Sequence, residues 1–231
     1  MMKGIGRGIG RALLVLVAAC VLYEVWIFAH VLWWQYVNPK TTHFMDLQLS
    51  ALREDDPKAR LQHTWVDYEH ISHQLKQAVV AAEDDRFTEH DGFDWEGIQR
   101  AMERNARRGK AVAGGSTISQ QLAKNLFLTP ARSYLRKGQE AIITLMIEAC
   151  WSKRRILEVY LNVVEWGAGI FGAEAAARHY YGVSAATLDA GQAARLAVML
   201  PNPRRYERHF GPRLAAHAAR IRARMHRSEV P

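Results

Sequence analysis

The stretch Gly114-Gly115-Ser116-Thr117-Ile118-Ser119-Gln120-Gln121-Leu122-Ala123-Lys124-Asn125 sets two glycines ahead of a helix start built largely from hydroxyls and amides. Eight of its twelve positions are Gly, Ser, Thr, Gln or Asn, residues of middling or poor helix propensity. A helix made only to pack has little use for them. Thr117 and Gln120 stand at capping-box spacing, so the helix N-terminus, with its unpaired N–H groups and positive dipole end, lies beside the glycines. Such a surface suits a polyhydroxylated or anionic ligand. Composition alone is equally met by a polar, capped surface helix.

A second stretch, Glu83-Asp84-Asp85-Arg86-Phe87-Thr88-Glu89-His90-Asp91-Gly92, follows the apolar run Ala78-Val79-Val80-Ala81-Ala82. Glu83 therefore emerges from a buried segment, where partial desolvation raises a carboxyl pKa toward that of a useful base. Three more blocks follow in order: Arg132-x-x-x-Arg136-Lys137-x-x-Glu140, then Lys153-Arg154-Arg155-Ile156-Leu157-Glu158-Val159-Tyr160-Leu161-Asn162, then Gly167-x-Gly169-x-x-Gly172 with Glu174-Ala175-Ala176-Ala177 and Tyr181-Gly182. Together these blocks resemble the signature motifs of the peptidoglycan glycosyltransferases, a lysozyme-like family that polymerises lipid-linked cell-wall disaccharides. The likeness extends loosely over the whole chain after the N-terminal helix and is most like the monofunctional biosynthetic members.

The resemblance implies a mainly α, lysozyme-like glycosyltransferase domain whose substrate is lipid II, a polyprenyl-diphospho-disaccharide-pentapeptide. Its product is β-1,4 glycan formed with inversion, with polyprenyl diphosphate released. Such chemistry needs a base for the attacking sugar hydroxyl and cations for the departing diphosphate. Glu83 is the candidate base, by resemblance acting on the acceptor's 4-hydroxyl. Lys124, Arg132, Arg136 and Lys137 are candidate diphosphate partners, arginine offering planar bidentate contacts. Arg132, Arg136 and Glu140 fall at i, i+4 and i+8, along one helix face. Glu140 is either the family's second functional carboxylate, holding the basic cluster and the donor, or a local partner of Arg136. Ser116, Thr117, Gln120, Gln121 and Asn125 are candidate substrate contacts. Asp84 either aids a divalent cation (Mg or Mn), no cofactor being expected to bind tightly, or caps and pairs locally. Phe87, His90 and Gly92 shape the turn after Glu83, and Lys153, Arg155 and Glu158 read as structural.

The chain of 231 residues is long enough for one domain with a real core plus an appendage. Its net charge of +8 suits work against anionic headgroups or phosphates. The N-terminus argues against nucleic acid as the partner. Lys3, Arg7 and Arg11 precede an apolar run from Ala12 to Trp34, long enough to cross a bilayer, with Trp33, Trp34 and Tyr36 fitting an interfacial aromatic belt. The basic flank predicts a cytoplasmic N-terminus. The expected organisation is a cytoplasmic segment 1–11, a transmembrane helix 12–34, a connector 35–64 and a glycosyltransferase domain 65–231. That is a single-pass protein of the bacterial cytoplasmic membrane with its catalytic domain on the periplasmic side. Its partners would be lipid II, the growing lipid-linked glycan, the membrane and other wall-synthesis or division proteins. A cleaved leader ending near Ala18-Ala19, or a lipoprotein box at Val17-Ala18-Ala19-Cys20, competes with this reading, but the apolar run continues well past Cys20. Glu24, inside the span, is either a tolerated protonated or snorkelling side chain or a contact for a partner helix.

Beyond the connector, whose breaker cluster is Glu54-Asp55-Asp56-Pro57, the pattern predicts helices near 72–83, 94–107, 117–128, 133–151, 153–162, 169–181, 185–199 and 212–227, and no strong run of strands. Gly167-Ala168-Gly169-Ile170-Phe171-Gly172 matches a dinucleotide fingerprint, but that fingerprint requires a βαβ unit. A helix-to-helix turn is expected instead. The run Arg100–Lys110 is either a solvated face or a membrane-facing patch. The arginines after Arg213 read as a basic face or a frayed tail. Cys20 and Cys150 lie in different apolar helices and are not expected to pair. No S-x-x-K or K-T-G occurs, so no transpeptidase is expected. Two other function classes remain at this point. One is a lysozyme-like glycan-cleaving enzyme, disfavoured by the basic cluster. The other is a non-catalytic adaptor of the wall-building machinery, disfavoured by the two glutamates.

Overall fold

The computed structural model describes residues 2–109, 114–131 and 133–231, in two units, Met1–Asn38 and Pro39–Pro231. The first unit is helix α1, Met2–Trp34. Its stretch Gly10–Trp34 is long and apolar enough to cross a membrane, reaching about 37 Å at 1.5 Å per residue against a hydrocarbon core of about 30 Å. Leu13, Leu14, Leu16 and Leu22 are all more than half exposed on it.

The second unit is mainly helical. Its helices are α2 (His43–Asp55), α3 (His73–Glu83), α4 (Trp95–Arg108), α5 (Ile118–Phe127), α6 (Tyr134–Cys150), α7 (Lys153–Val163), α8 (Ala173–Tyr181), α9 (Ala190–Ala197), α10 (Pro203–Arg208) and α11 (Pro212–Arg224). Helix α3 packs against α9 and α11, while α5 lies against α2, α6 and α7. The pattern of α5 explains that position. Ile118, Leu122, Ala123 and Leu126 are buried on its core side, while Gln121 and Lys124 face an open cleft.

Most of the expected connector folds into this unit. Thr42 caps α2 through the Met45 N–H, Met45 is buried, and Phe44 meets Phe171 edge-on at 6.2 Å. The breaker cluster ends this helix rather than a linker. Residues 185–199 do not form one helix either. A 3-10 turn, Ala185–Thr187, precedes α9, because the Asp189 carboxylate caps Gly191 and Gln192 and starts a new helix there. Helix α10, with Pro203 in its first turn, was not expected. Nor is the C-terminus frayed: Arg224 donates to Asp85 (3.0 Å) and to the Ala81 carbonyl.

A three-stranded sheet has the order β1-β3-β2, where β1 is Gln62–His63, β2 is Glu165–Gly167 and β3 is Ile170–Phe171. Strands of two or three residues are too short to leave a period-2 signal. The glycine fingerprint is therefore the turn of a β-hairpin leading into α8, not a helix-to-helix turn, and no βαβ unit surrounds it. Asn162, fully buried at the end of α7, pairs with both the N–H (2.9 Å) and carbonyl (2.8 Å) of Val66. It thus serves as a strand-like partner for the segment entering α3.

Gly172 has φ +84° and ψ 157° and leads into α8, in a region essentially reserved for glycine. A Cβ there would lie 2.7 Å from the Asn162 carbonyl oxygen. Gly172→Ala is expected to cost about 2–4 kcal/mol and to lower the melting temperature by roughly 5–12 °C. A scanning calorimetry trace matching the parent would show that this close approach is not required.

Candidate active site

The site is assembled where α3 ends and α5 begins. The Asp84 N–H closes the last turn of α3 on the Val80 carbonyl at 2.9 Å. Its buried carboxylate accepts the Ile118 N–H at 3.0 Å and meets His90 Nε2 at 2.8 Å. Thr117 caps α5 in a full capping box with Gln120 and donates its hydroxyl to the Gly92 carbonyl at 2.6 Å. Gly92 has φ +89°, and a Cβ on it would strike Thr144 of α6 at 2.8 Å. Lys153 of α7 donates to the His90 carbonyl and to Glu148 (2.8 Å), and Ser119 donates to the same Glu148 oxygen. Every element around the 84–94 loop is thereby fastened to it.

Glu83, one residue before this junction, lines a cleft of about 390 Å³ together with Ser116, Gln120, Gln121, Lys124 and Glu140. Its Oε2 accepts from Gln121 Nε2 at 2.7 Å, and Gln121 Oε1 accepts from the Tyr160 hydroxyl at 2.9 Å. Burial pushes the Glu83 carboxyl above its ordinary range, with the Gln121 hydrogen bond and the Lys124 charge opposing in part. Burial pulls the Lys124 ammonium down, against the attraction of Glu140 and Glu83.

Glu140 is buried on α6 and clamped from both sides. Arg136 donates to its Oε2 at 2.6 Å and Lys137 to its Oε1. Lys137 also reaches the Ser116 hydroxyl at 3.4 Å, joining the cluster to the glycine loop. Helix α6 begins at Tyr134 behind its cap Ser133. The shared-face argument holds for Arg136 and Glu140, while Arg132 lies outside the described residues.

The cleft continues on both sides. Beyond Glu83 lies a cavity of about 480 Å³ lined by Arg86, Arg100, Arg104 and Arg224. Beyond Lys124 a cavity of about 310 Å³ reaches Asn125, Glu165 and Arg204. Arg86 is held by Glu89 and Glu96, and Arg100 by Asp94 and Glu96. Such exposed pairs contribute little, about 0–1 kcal/mol, and yield readily to a stronger anion.

The expected residues thus divide by position. Glu83, Ser116, Gln120, Gln121, Lys124 and Glu140 share one cleft, Asn125 lines the next, and Arg136 and Lys137 stand behind Glu140. Thr117 is buried and its hydroxyl is engaged by the cap and by Gly92. Asp84 has both oxygens engaged by His90 and Ile118. Among the described residues no group of three or more His, Cys, Asp or Glu side chains gathers that could hold a metal ion by itself, and a divalent cation shared with a substrate phosphate would need only one or two carboxylates. Tyr160 and the arginine-lined side were not read as site residues. Tyr160 and Arg86 lie within the motif blocks but had no role assigned, and the run from Arg100 was open between a solvated face and a membrane-facing patch.

A helical domain with a desolvated carboxylate in a cleft, beside a second carboxylate clamped by basic side chains, combines a proton acceptor with positive charge for an anionic group. Residues 50–227 match the family profile described as Transglycosylase. The chain is 69% identical to a biosynthetic peptidoglycan transglycosylase of Azoarcus sp. (strain BH72) and 67% identical to one of Aromatoleum aromaticum (strain DSM 19018 / LMG 30748 / EbN1), each over 230 residues and 100% of both chains. It is 58% identical over 231 residues, again 100% of both chains, to the protein of that name from Dechloromonas aromatica (strain RCB). The chain belongs to the biosynthetic peptidoglycan transglycosylase family.

Asp84→Ala leaves the Ile118 N–H and His90 without their buried partner. The expected cost is about 2–4 kcal/mol in denaturant unfolding, with activity lost as the junction loosens. Added Mg²⁺ or Mn²⁺ should restore neither. A variant of parental stability whose turnover returned with the cation would instead make Asp84 a ligand.

Proposed function

We propose that this protein is a membrane-anchored glycosyltransferase that polymerises lipid II into β-1,4 glycan for the cell wall. The observation that carries this reading is a single cleft lined by Glu83, Lys124 and Glu140, the last clamped from behind by Arg136 and Lys137. Glu83 takes the proton from the acceptor's 4-hydroxyl as that oxygen attacks the donor's anomeric carbon. The bond from that carbon to the diphosphate breaks, and the diphosphate leaves with the electron pair. Attack from the face opposite the leaving group inverts the anomeric centre. Cations matter most as the bond breaks, when negative charge on the diphosphate peaks.

Lys124, Lys137, Arg136 and Arg132 are assigned to the donor diphosphate, with Glu140 holding the cluster in place. Like charges gathered at a partly buried site are stabilised by such a counter-charge. The acceptor also carries a diphosphate, and Arg86, Arg100 and Arg104 on the other side of Glu83 suit it. Ser116, Gln120 and Asn125 are assigned to the sugars. Cleavage of a finished glycan has no diphosphate to neutralise, so it does not account for cations on both sides of the base.

Both substrates hang from polyprenyl chains, so the cleft works close to a membrane. Helix α1 serves as the anchor, its basic end in the cytoplasm and the catalytic unit on the outer side. Trp95 (72% exposed) and Met102 on α4, with Tyr134 and Leu135 (89% exposed) on α6, support membrane contact by the globular unit itself. Arginines beside such apolar side chains favour an anionic lipid surface.

Glu83→Gln should stay folded and lose on the order of 10²–10⁴ in rate. Glu140→Gln should retain more activity and use donor poorly. Because burial raises the Glu83 pKa and the base must be ionised, the parental rate should fall as pH drops through a value above 4.5, the ordinary carboxyl value. Near-normal polymerisation by folded Glu83→Gln would remove the central assignment. An acidic limb that disappears in Glu140→Gln alone would exchange the two roles.

Deleting residues 1–34 should leave a domain that polymerises detergent-dispersed lipid II but works poorly on lipid II in vesicles. The span acts by confining enzyme and substrate to one surface. Inactivity in detergent as well would show that α1 does more than tether.

A further inference from the structure

Tyr160 is a buried titratable group that the chemistry above leaves unused. It lies in α7, its ring wholly buried, where phenylalanine would fill the same volume. The hydroxyl therefore calls for its own explanation. It contacts Gln121 Oε1 at 2.9 Å, and the other end of that amide contacts Glu83 Oε2 at 2.7 Å. An ionised carboxylate can only accept, so the amide must present its NH₂ to Glu83 and its oxygen to Tyr160, and Tyr160 must donate. Burial, reinforced by the charges of Glu83 and Asp84, holds the phenol protonated well above its usual range. The direction of both hydrogen bonds is thereby set.

We propose that Tyr160 is a positioning residue for glycosyl transfer: through the Gln121 amide, its hydroxyl holds the Glu83 carboxylate in the orientation that meets the acceptor hydroxyl. The proposal rests on the reading of Glu83 as the base. Once Glu83 has taken the proton, it can donate to the amide oxygen. The amide then turns over, and its NH₂ donates to the tyrosine oxygen. Glu83 and Gln121 stay paired in both protonation states. Tyr160 changes from donor to acceptor and its O–H gives up the amide oxygen, a cost that favours the ionised form of Glu83. No other proton is gained or lost. Phenylalanine in place of the tyrosine would leave the amide free to turn its oxygen on the carboxylate, opposing ionisation.

The test uses the full chain, lipid II as substrate, and a pH–rate profile beside a thermal melt. Tyr160→Phe should melt within a few degrees of the parent and polymerise about 3–10-fold more slowly at neutral pH. Its acidic limb should move upward by about 0.5–1 pH unit, since the ionised carboxylate loses support. KM should stay near the parental value because the hydroxyl touches no substrate. Gln121→Leu should shift the limb in the same direction, and Tyr160→Phe added to it should shift it no further. A folded Tyr160→Phe with the parental limb, or a double variant whose shifts add, overturns the proposal. Should Tyr160→Phe fail to fold, Tyr160→Met takes its place in the comparison, an upward-shifted limb supporting the relay and a parental limb refuting it. Glu83→Gln run in parallel separates the two layers. If it stays active, the assignment of the base fails; if it is dead while the other limbs are parental, only the relay fails.

Discussion

The carboxylate of Asp84 joins the last turn of α3 to the first N–H of α5, and the placement of the reacting groups depends on that junction. A buried carboxylate is tolerated only when its lone pairs are occupied. Here one oxygen takes the Ile118 N–H and the other meets His90. Because Glu83 immediately precedes Asp84, its carboxylate is placed at a fixed distance from the start of α5. Gln121 and Lys124, roughly one turn and two turns into α5, are consequently in register with it. The contacts of Thr117 with Gly92, and of Lys153 with the His90 carbonyl, close the remaining sides. Residues that resemble a catalytic motif in sequence thus include several whose work is to hold two helix ends together.

That rigidity permits an electrostatic arrangement that would be unfavourable elsewhere. Burial disfavours the charged forms of both Glu83 and Lys124, and each lies in the field that favours the other's charge. Each charge therefore offsets part of the other's desolvation, with Glu140 adding more to the support of Lys124 than Glu83 does. Glu140 takes the opposite course, being clamped by Arg136 and Lys137. One carboxylate remains available for a proton, and the other organises positive charge. Environment rather than residue type separates their roles.

Much of this was legible in the chain. The capping box at Thr117 and Gln120, the ends of α3 and α5, the Asp94 and Ser152 caps and the long apolar N-terminal helix follow from local rules and appear as read. Glu83 at the end of a buried run has the raised pKa that its position implied. The small sheet was not legible, since its strands are shorter than the period that would reveal them. Helix α2 was hidden in a mixed segment whose Phe44 and Met45 acquire meaning only against the core. Thr117, expected at the substrate, is buried against Gly92, because a capping hydroxyl and a ligand-binding hydroxyl look identical in sequence.

The sequence by itself determined the helices α3 to α7 with their caps, and which side chains near them carry carboxylates and positive charge, since capping, periodicity and desolvation at a helix end act over a few neighbouring residues. Only the tertiary structure decided which of those groups meet. Glu83 and Gln121 are 38 positions apart, Gln121 and Tyr160 are 39 apart, and Asp85 and Arg224 are 139 apart. No local preference links such positions. Their contacts arise because α3, α5, α7 and α11 must bury their apolar faces together, and that packing places the polar groups left over at the ends and open sides of the helices in mutual reach.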